Sequence, residues 1–194
     1  MGAPSRGSAR RERVGVLGGT FDPVHIAHLV AALAARRARE LDRVLLVVAG
    51  DPWQKRDAVV ASAADRLAMT RAAVDGVDGL EVSALEVDRP GPTYTIDTLR
   101  ALADADRELF LIVGSDVAAR LDTWHEADQV RAAATLVVVS RNGDADDASH
   151  LRSPRLDVSS TELRARVGRG EPVDGFVPAG AVRVLRERHL YTRP

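Results

Sequence analysis

Residues 18–28 constrain the fold more than any other part of this chain. Their sequence is Gly-Gly-Thr-Phe-Asp-Pro-Val-His-Ile-Ala-His, and they directly follow an apolar run at residues 14–17. The apolar run predicts a buried strand at residues 13–17, the glycines predict a turn, and the alanine-rich residues 26–40 predict an amphipathic helix. A strand, a glycine turn and a helix in this order indicate an α/β sheet.

The same turn combines several groups that suit an anion. Glycines allow the backbone to approach a ligand closely, and a helix start offers N–H groups and the positive end of the helix dipole. His25 and His28 are three residues apart, so we expect both imidazoles to lie on one helix face beside that opening. Together these groups suit a polyphosphate, and the chain is predicted to handle a nucleotide.

The rest of the chain alternates strand-like and helix-like segments, without an internal repeat or a linker. Apolar runs predict buried strands, and segments with helical periodicity predict helices. Further strands are predicted at residues 43–49, 80–87, 109–113, 135–140 and 156–158, and helices at residues 63–74, 95–103, a short piece ending at 121, from 159 onward and 178–188. This alternation predicts a doubly wound parallel α/β sheet, in which ligands bind beyond the carboxyl ends of the strands.

Length, charge and cysteine content narrow the class of protein. At 194 residues the chain fits a single domain, predicted at residues 13–194 after a disordered tail at residues 1–12. The net charge of −1 provides no positive field for nucleic acid or an anionic membrane, and no apolar run could span a bilayer. The absence of cysteine excludes disulfides and is compatible with a reducing cytoplasm, where we expect the protein to reside.

Lys55 is the only lysine among 27 basic residues, and it follows the second predicted strand. A codon bias toward arginine would replace dispensable lysines, so the remaining one is a candidate for a tight site where a compact ammonium is needed. Its chance survival is the alternative.

Three later segments give weaker indications of structure or function. Ser159 and Glu162 have the spacing of a helix capping box, with Arg164 one turn further along. This segment predicts either a second anion site or an ordinary capped helix. Trp124 is flanked by polar residues, which favours stacking on a flat ring over deep burial, although a core position is the usual one for tryptophan. Residues 141–154 are acidic and without periodicity, which predicts a mobile loop.

Several common catalytic signatures are absent from the sequence. It contains no Gly-x-x-x-x-Gly-Lys-Ser/Thr loop, no Gly-x-Gly-x-x-Gly fingerprint and no Ser-His-Asp signature. The remaining features suit phosphoryl or nucleotidyl transfer, in which positioning and charge stabilisation provide most of the catalysis.

These motifs together resemble the nucleotidyltransferase superfamily with His-x-Gly-His-type and Ser-Ser-Thr-x-x-Arg motifs. The resemblance is closest to the bacterial nicotinate-nucleotide adenylyltransferases. The matching segments are residues 18–28, 52–55, 92–99, 114–116, 123–124, 159–164 and 190–191. The resemblance implies a Rossmann-like nucleotidyltransferase fold and transfer of an adenylyl group from ATP to nicotinate mononucleotide, giving deamido-NAD and pyrophosphate without a covalent intermediate.

The resemblance also implies roles for individual residues. The catalytic set would be His25, His28, Lys55 and Arg164. ATP would be bound by Gly18, Gly19, Thr20, Phe21, Gly114, Asp116, Ser160 and Thr161, and the mononucleotide by Tyr94, Thr95 and Trp124. Mg²⁺ would accompany ATP without a dedicated metal site on the protein.

Two departures from the family pattern and several alternatives stay open. Ala27 replaces the glycine of the His-x-Gly-His pattern, a mild change for which we expect retained activity. Residues 141–155 are short and acidic for the family, which leaves open an adenine-side wall or a subunit contact there. The alternatives are another acceptor (nicotinamide mononucleotide or pantetheine phosphate) or a non-catalytic nucleotide sensor, and a homo-oligomer is neither required nor excluded.

Overall fold

The chain forms one parallel sheet with helices on both faces. The structure is a computed structural model that describes residues 10–52, 59–140, 150–154 and 156–192. Its strands within these ranges are β1 (Glu12–Gly19), β2 (Arg43–Val48), β3 (Leu80–Ser83), β4 (Arg107–Gly114), β5 (Thr135–Ser140) and β6 (Leu151–Arg152). They lie in the order β3-β2-β1-β4-β5-β6, and all neighbours are parallel. This order confirms the predicted doubly wound sheet. The chain adds strands on one side of β1 up to β3 and on the other side from β4 onward, so the order of the strands reverses between β1 and β4.

The helices connect successive strands and continue beyond the last one. Those within the described residues are α1 (Ile26–Ala38), α2 (Ala63–Val74), α3 (Thr95–Leu102), α4 (Ser115–Ala118), α5 (Ala127–Ala133), α6 (Ser160–Gly168) and α7 (Ala179–Glu187), with a 3₁₀ turn at Leu121–Thr123. None of these helices has both the length and the apolar character needed to cross a bilayer.

Alternation along the strands divides the core between the two faces of the sheet. In β2, Val44, Leu46 and Val48 pack into the cluster that contains Leu29 of α1 and Met69 of α2. The intervening Leu45 and Val47 pack into the second cluster, which contains Ile96 and Leu99 of α3 and Val130 of α5. Because both faces are covered, the central strands are apolar throughout, as the sequence predicted.

Two predicted strands differ from the structure, and one helix was not predicted. The strand expected at residues 156–158 is absent there; the edge strand is β6, inside the segment predicted to be a loop. Helix α5 was not predicted, because only Val130 of its seven residues is buried and the apolar periodicity is weak. The third strand ends at Ser83 because the chain turns immediately afterwards, whereas extended structure was expected to residue 87.

Candidate nucleotide-binding site

The two glycines at the end of β1 have different structural roles. Gly18 is exposed, and no described atom lies within 4 Å of the place where its Cβ would be, so a ligand can approach the backbone there. At Gly19 a Cβ would lie 2.8 Å from the ring of Phe21, which folds back in the left-handed region with φ 51°. Phe21 is only 2% exposed, so its backbone, and not its ring, borders the opening.

The two histidines of the first turn lie against each other. Their ring centroids are 3.7 Å apart with an interplanar angle of 26°. His25 has extended backbone angles and is the N-cap of α1, which begins at Ile26 as predicted, and the two imidazoles lie on the same side of the helix start. His25 is thus the last residue before the helical φ and ψ angles begin.

A hydrogen bond orients the His28 ring. The backbone N–H of His25 donates to Nδ1 of His28 at 3.2 Å, and the edge of the ring meets Phe21 with centroids 5.0 Å apart. Because Nδ1 accepts this bond, the neutral ring carries its proton on Nε2. The hydrogen bond and the ring contacts together fix the orientation of the His28 imidazole beside the turn.

Helix α6 is docked directly onto the first turn. The Arg164 guanidinium donates to the backbone carbonyl of Asp22 at 2.7 Å, and the Ser160 hydroxyl donates to the carbonyl of Pro23 at 2.9 Å. The late Ser-Ser-Thr-x-x-Arg motif and the early histidine pair thus share one side of the molecule. The Ser160 hydroxyl proton is used in this bond, whereas the neighbouring Thr161 is exposed.

The predicted capping of α6 is present in part. Ser159 is the N-cap, and its hydroxyl accepts the backbone N–H of Glu162 at 3.2 Å. This half of the capping box fixes where α6 begins, and with it the position of Arg164.

Asp22 is a buried anchor that the sequence reasoning did not select. Its carboxylate is 3% exposed and accepts hydrogen bonds from the Tyr191 hydroxyl at 2.6 Å and from the backbone of Val60 and Ala61 at 2.8 and 3.1 Å. Burial and the Asp22 carboxylate raise the pKa of Tyr191, which keeps its phenol protonated as a donor. The carboxylate therefore joins the first turn to the α2 entry and to the end of the chain.

Arg66 of α2 is a second buried residue that the prediction missed. It is 1% exposed and donates to the carbonyls of Thr20, Gly50 and Ala61. Burial lowers the pKa of its guanidinium, and the charge of Asp22 opposes that effect. The signal available in the sequence was an arginine on the apolar face of a helix, next to Leu67 and Thr70.

A small apolar pocket lies beside His28, between α1 and the carboxyl ends of β1, β4 and β5. Its volume is about 60 Å³. The lining is formed by Leu17, Ala27, His28, Ala31, Ile112, Val113, Gly114, Val139, Ser153, Pro154 and Leu156. Ser153 and Pro154, next to β6, form part of the wall of this pocket.

Gly114 and Asp116 lie where β4 passes into α4. A Cβ at Gly114 would come within 2.7 Å of Oδ1 of Asp116, an exposed side chain that can rotate away. Asp116 is exposed at the start of α4, next to the pocket.

Tyr94, Thr95 and Trp124 belong to the other face of the sheet. Tyr94 caps α3 and Thr95 is its first residue. The half-buried Trp124 and Tyr94 both pack against the second core cluster. The Tyr94 ring also contacts the ring of His125, with centroids 4.4 Å apart.

The start of α3 is fixed against the end of β2. Thr93 donates through its backbone N–H and its hydroxyl to the carbonyl of Asp51, at 3.2 and 3.1 Å. Thr98 donates to the buried Glu86 carboxyl at 2.6 Å. Lys55, predicted between the two substrates, lies outside the described residues. The described part of the chain contains no group of three or more His, Asp or Glu side chains that could hold a metal ion.

Similarity to known proteins identifies the class of protein to which this chain belongs. Residues 16–166 match the sequence model of the family described as Cytidylyltransferase-like. With glycines, histidines and an arginine gathered at the carboxyl edge of a parallel sheet, the fold and the site define a nucleotidyltransferase of that class.

Curated relatives then define the family. Three proteins named probable nicotinate-nucleotide adenylyltransferase are 45%, 43% and 41% identical: those of Frankia alni, Streptomyces coelicolor and Acidothermus cellulolyticus. The matches cover 90%, 90% and 96% of this chain and 98%, 98% and 97% of those proteins. The chain therefore belongs to the nicotinate-nucleotide adenylyltransferase family.

Solved structures agree at the level of the fold. Plasmodium falciparum nicotinic acid mononucleotide adenylyltransferase complexed with NaAD superimposes with a TM-score of 0.75 at 16% identity, covering 93% of this chain and 97% of that one. The same enzyme complexed with APC gives a TM-score of 0.65 at 14% identity over the same shares. The Rossmann-like nucleotidyltransferase fold implied by the sequence motifs is confirmed.

Proposed function

We propose that this protein transfers the adenylyl group of ATP to nicotinate mononucleotide, producing deamido-NAD and pyrophosphate. The observation that carries the proposal is the docking of Arg164 onto Asp22, which brings the two motifs together at one sheet edge. The names of the relatives supply the acceptor. A cytoplasmic location, where ATP is available, belongs to the same proposal.

The reaction needs positioning more than acid–base chemistry. An oxygen of the mononucleotide phosphate forms a bond to the α-phosphorus of ATP, while the bond from that phosphorus to the α–β bridging oxygen breaks. A phosphate monoester has its second pKa near about 6, so the nucleophile is already ionised at neutral pH and no base is required. The protein has to hold two polyanions in line and stabilise the charge that grows on pyrophosphate.

His28 and α6 are the groups assigned to that charge. The Nε2–H group of His28 would donate a hydrogen bond to a phosphate oxygen of ATP. The His25 imidazole stacks on the His28 imidazole and supports it. Arg164 is 17% exposed in its side chain, and together with the α6 N-terminus it would hold the β and γ phosphates.

The adenine of ATP and the pyridine ring of the mononucleotide are assigned to opposite faces of the sheet. The apolar pocket beside Ala27 and Gly114 is assigned to one edge of the adenine of ATP, since its volume of about 60 Å³ is too small for the whole nucleoside. Trp124 would stack on the pyridine ring, and Thr95 with the N-terminus of α3 would receive the nicotinate carboxylate. Lys55 is assigned to phosphate between the substrates on sequence grounds alone.

Mg²⁺ is included only as the companion of ATP. The described residues offer no cluster that would hold it, and no step above depends on a protein-bound metal.

The decisive experiment measures product formation with each acceptor. The purified chain is incubated with ATP, Mg²⁺ and nicotinate mononucleotide, nicotinamide mononucleotide or pantetheine phosphate, and pyrophosphate is measured. We expect the highest kcat/KM with nicotinate mononucleotide and deamido-NAD as its product. Faster turnover of another acceptor would overturn the choice of substrate. ATP binding by calorimetry without any turnover would instead support a nucleotide sensor.

A further inference from the structure

Arg66 is buried behind the site, although no role in adenylyl transfer has been given to it. It is 1% exposed and lies on α2 among apolar side chains such as Leu67 and Met69. Taking a guanidinium out of water is costly unless its N–H groups are hydrogen-bonded and its charge is offset. Both conditions are met here, and the partners indicate what the side chain does.

The Arg66 guanidinium joins three separate segments through backbone carbonyls. Nη1 donates to Thr20 at 2.7 Å, just after β1, and Nη2 donates to Gly50 at 3.1 Å, just after β2. Nε donates to Ala61 at 3.3 Å, just before α2. Because the guanidinium is a rigid planar fork, these bonds fix the relative positions of the three segments.

The charge of Arg66 is balanced by the same carboxylate that meets Arg164. Asp22 attracts the Arg66 guanidinium, and it lies 3.6 Å from Nη1 of Arg164. Asp22 thus lies between a fully buried arginine on one helix and a partly exposed arginine on another. Arg66 and Asp22 are both buried where they meet the first turn, whereas the Arg164 side chain is partly exposed.

We propose that Arg66 is a positioning residue for adenylyl transfer. It holds the turn of residues 18–25, which presents the ATP-binding backbone and His28, at a fixed distance from the chain that leaves β2 at Gly50. It touches neither substrate and acts only through the carbonyls it binds. This inference rests on the proposed function, since it concerns the geometry of that reaction.

The first test replaces Arg66 by lysine, which keeps the charge but cannot donate to three divergent carbonyls. Displacement of reacting groups by about 1 Å costs about 100-fold in rate, and we expect kcat to fall by about that factor. The KM for ATP should rise by a much smaller factor than kcat falls, because the charge that the displaced groups meet grows during the reaction. Arg71→Lys, at an exposed position on the same helix, is the matched control and should retain full kcat.

Arg66→Gln guards against failure of the lysine variant to fold. Its uncharged amide needs no counter-charge and can still donate to one of the three carbonyls, while Arg164 remains to offset the charge of Asp22, and kcat should still fall about 100-fold. Circular dichroism at the assay temperature establishes that each variant is folded. Unchanged kcat in a folded variant, or a loss of ATP affinity as large as the loss of kcat, would overturn the proposal.

Hydrogen exchange separates this inference from the proposed function. If the wild-type chain forms no deamido-NAD, the proposed function fails, but the bracing of the turn is still measurable. Backbone amides in residues 18–25 should exchange about tenfold faster in Arg66→Lys than in the wild type, since local opening becomes easier. Their exchange rates should be unchanged in Arg71→Lys. Equal exchange in wild type and Arg66→Lys would rule out the positioning role.

Discussion

The Arg164 guanidinium donates a 2.7 Å hydrogen bond to the main-chain carbonyl of Asp22, a residue 142 positions earlier in the chain. This bond joins the first strand–helix turn to the last strand–helix unit. It gives Arg164 a structural partner at the edge of the site, where its side chain is still partly exposed. The arginine assigned to phosphate is thereby oriented before any substrate binds, which reduces the entropy lost on binding.

His28→Ala should lower kcat by about 100- to 1000-fold and change the KM for ATP much less, since the charge that Nε2 meets grows during the reaction. Steady-state kinetics with varied ATP measures both parameters. His189→Ala removes an exposed imidazole and is the control. Equal changes in kcat and in ATP affinity would contradict a role specific to the transition state.

Asp22→Asn should destabilise the protein by about 3–5 kcal/mol, because it leaves buried arginine charge without its partner and turns an amide N–H toward donors. Urea unfolding at neutral pH gives the free energy. Asp78→Asn breaks the ion pair with Arg36 at a side chain that is 94% exposed, and should cost no more than about 1 kcal/mol. Similar losses in both variants would show that burial of Asp22 is energetically unimportant.

Trp124→Ala should raise the KM for nicotinate mononucleotide by about tenfold or more, because stacking on an aromatic face is worth about 1–3 kcal/mol per base. The KM for ATP should be nearly unchanged. Initial rates at saturating concentrations of the other substrate separate the two. The reverse pattern would mean that the two pockets have been interchanged.

Ala27→Leu should fill the pocket of about 60 Å³ beside His28. We expect it to raise the KM for ATP by about tenfold or more, as overpacking a close-fitting site costs about 1–3 kcal/mol, with little effect on the mononucleotide KM. Ala27→Gly restores the residue of the family pattern and serves as the control. It should keep turnover and lose about 1 kcal/mol of stability through lower helix propensity. An unchanged ATP KM in Ala27→Leu would place the adenosine elsewhere.

The free energy of unfolding of Glu86→Gln should increase relative to that of the wild type as the pH rises from about 4 to about 7. Burial raises the pKa of the Glu86 carboxyl above its ordinary value, although the hydrogen bond from Thr98 opposes this shift. The folded state therefore holds this proton more tightly than the unfolded state, and wild-type stability falls as the pH rises between the two pKa values. Urea unfolding at both pH values of wild type, Glu86→Gln and the exposed control Glu187→Gln checks the trend. A difference independent of pH would contradict it.

Much of the fold followed from local patterns. The strand Thr135–Ser140 and the helix Ala63–Val74 have the predicted limits, because their apolar periodicity is strong and their ends carry clear signals. The edge strand Leu151–Arg152 could not be predicted. It has two residues, and its pairing with β5 is decided by tertiary contacts, not by its own sequence.

The residues of the site also fall into two groups, those that local sequence specifies and those that only the tertiary structure brings together. The chain's own order of residues specified the glycine turn, the histidine pair and the capped helix before Arg164, because each depends on spacing within one short segment. Only the folded structure decided that Asp22 would bind Arg164 and Tyr191, and that Arg66 would hold Thr20 against Gly50. Those contacts join residues far apart in sequence, and a buried carboxylate or guanidinium is stable only where tertiary packing supplies its hydrogen-bond partners.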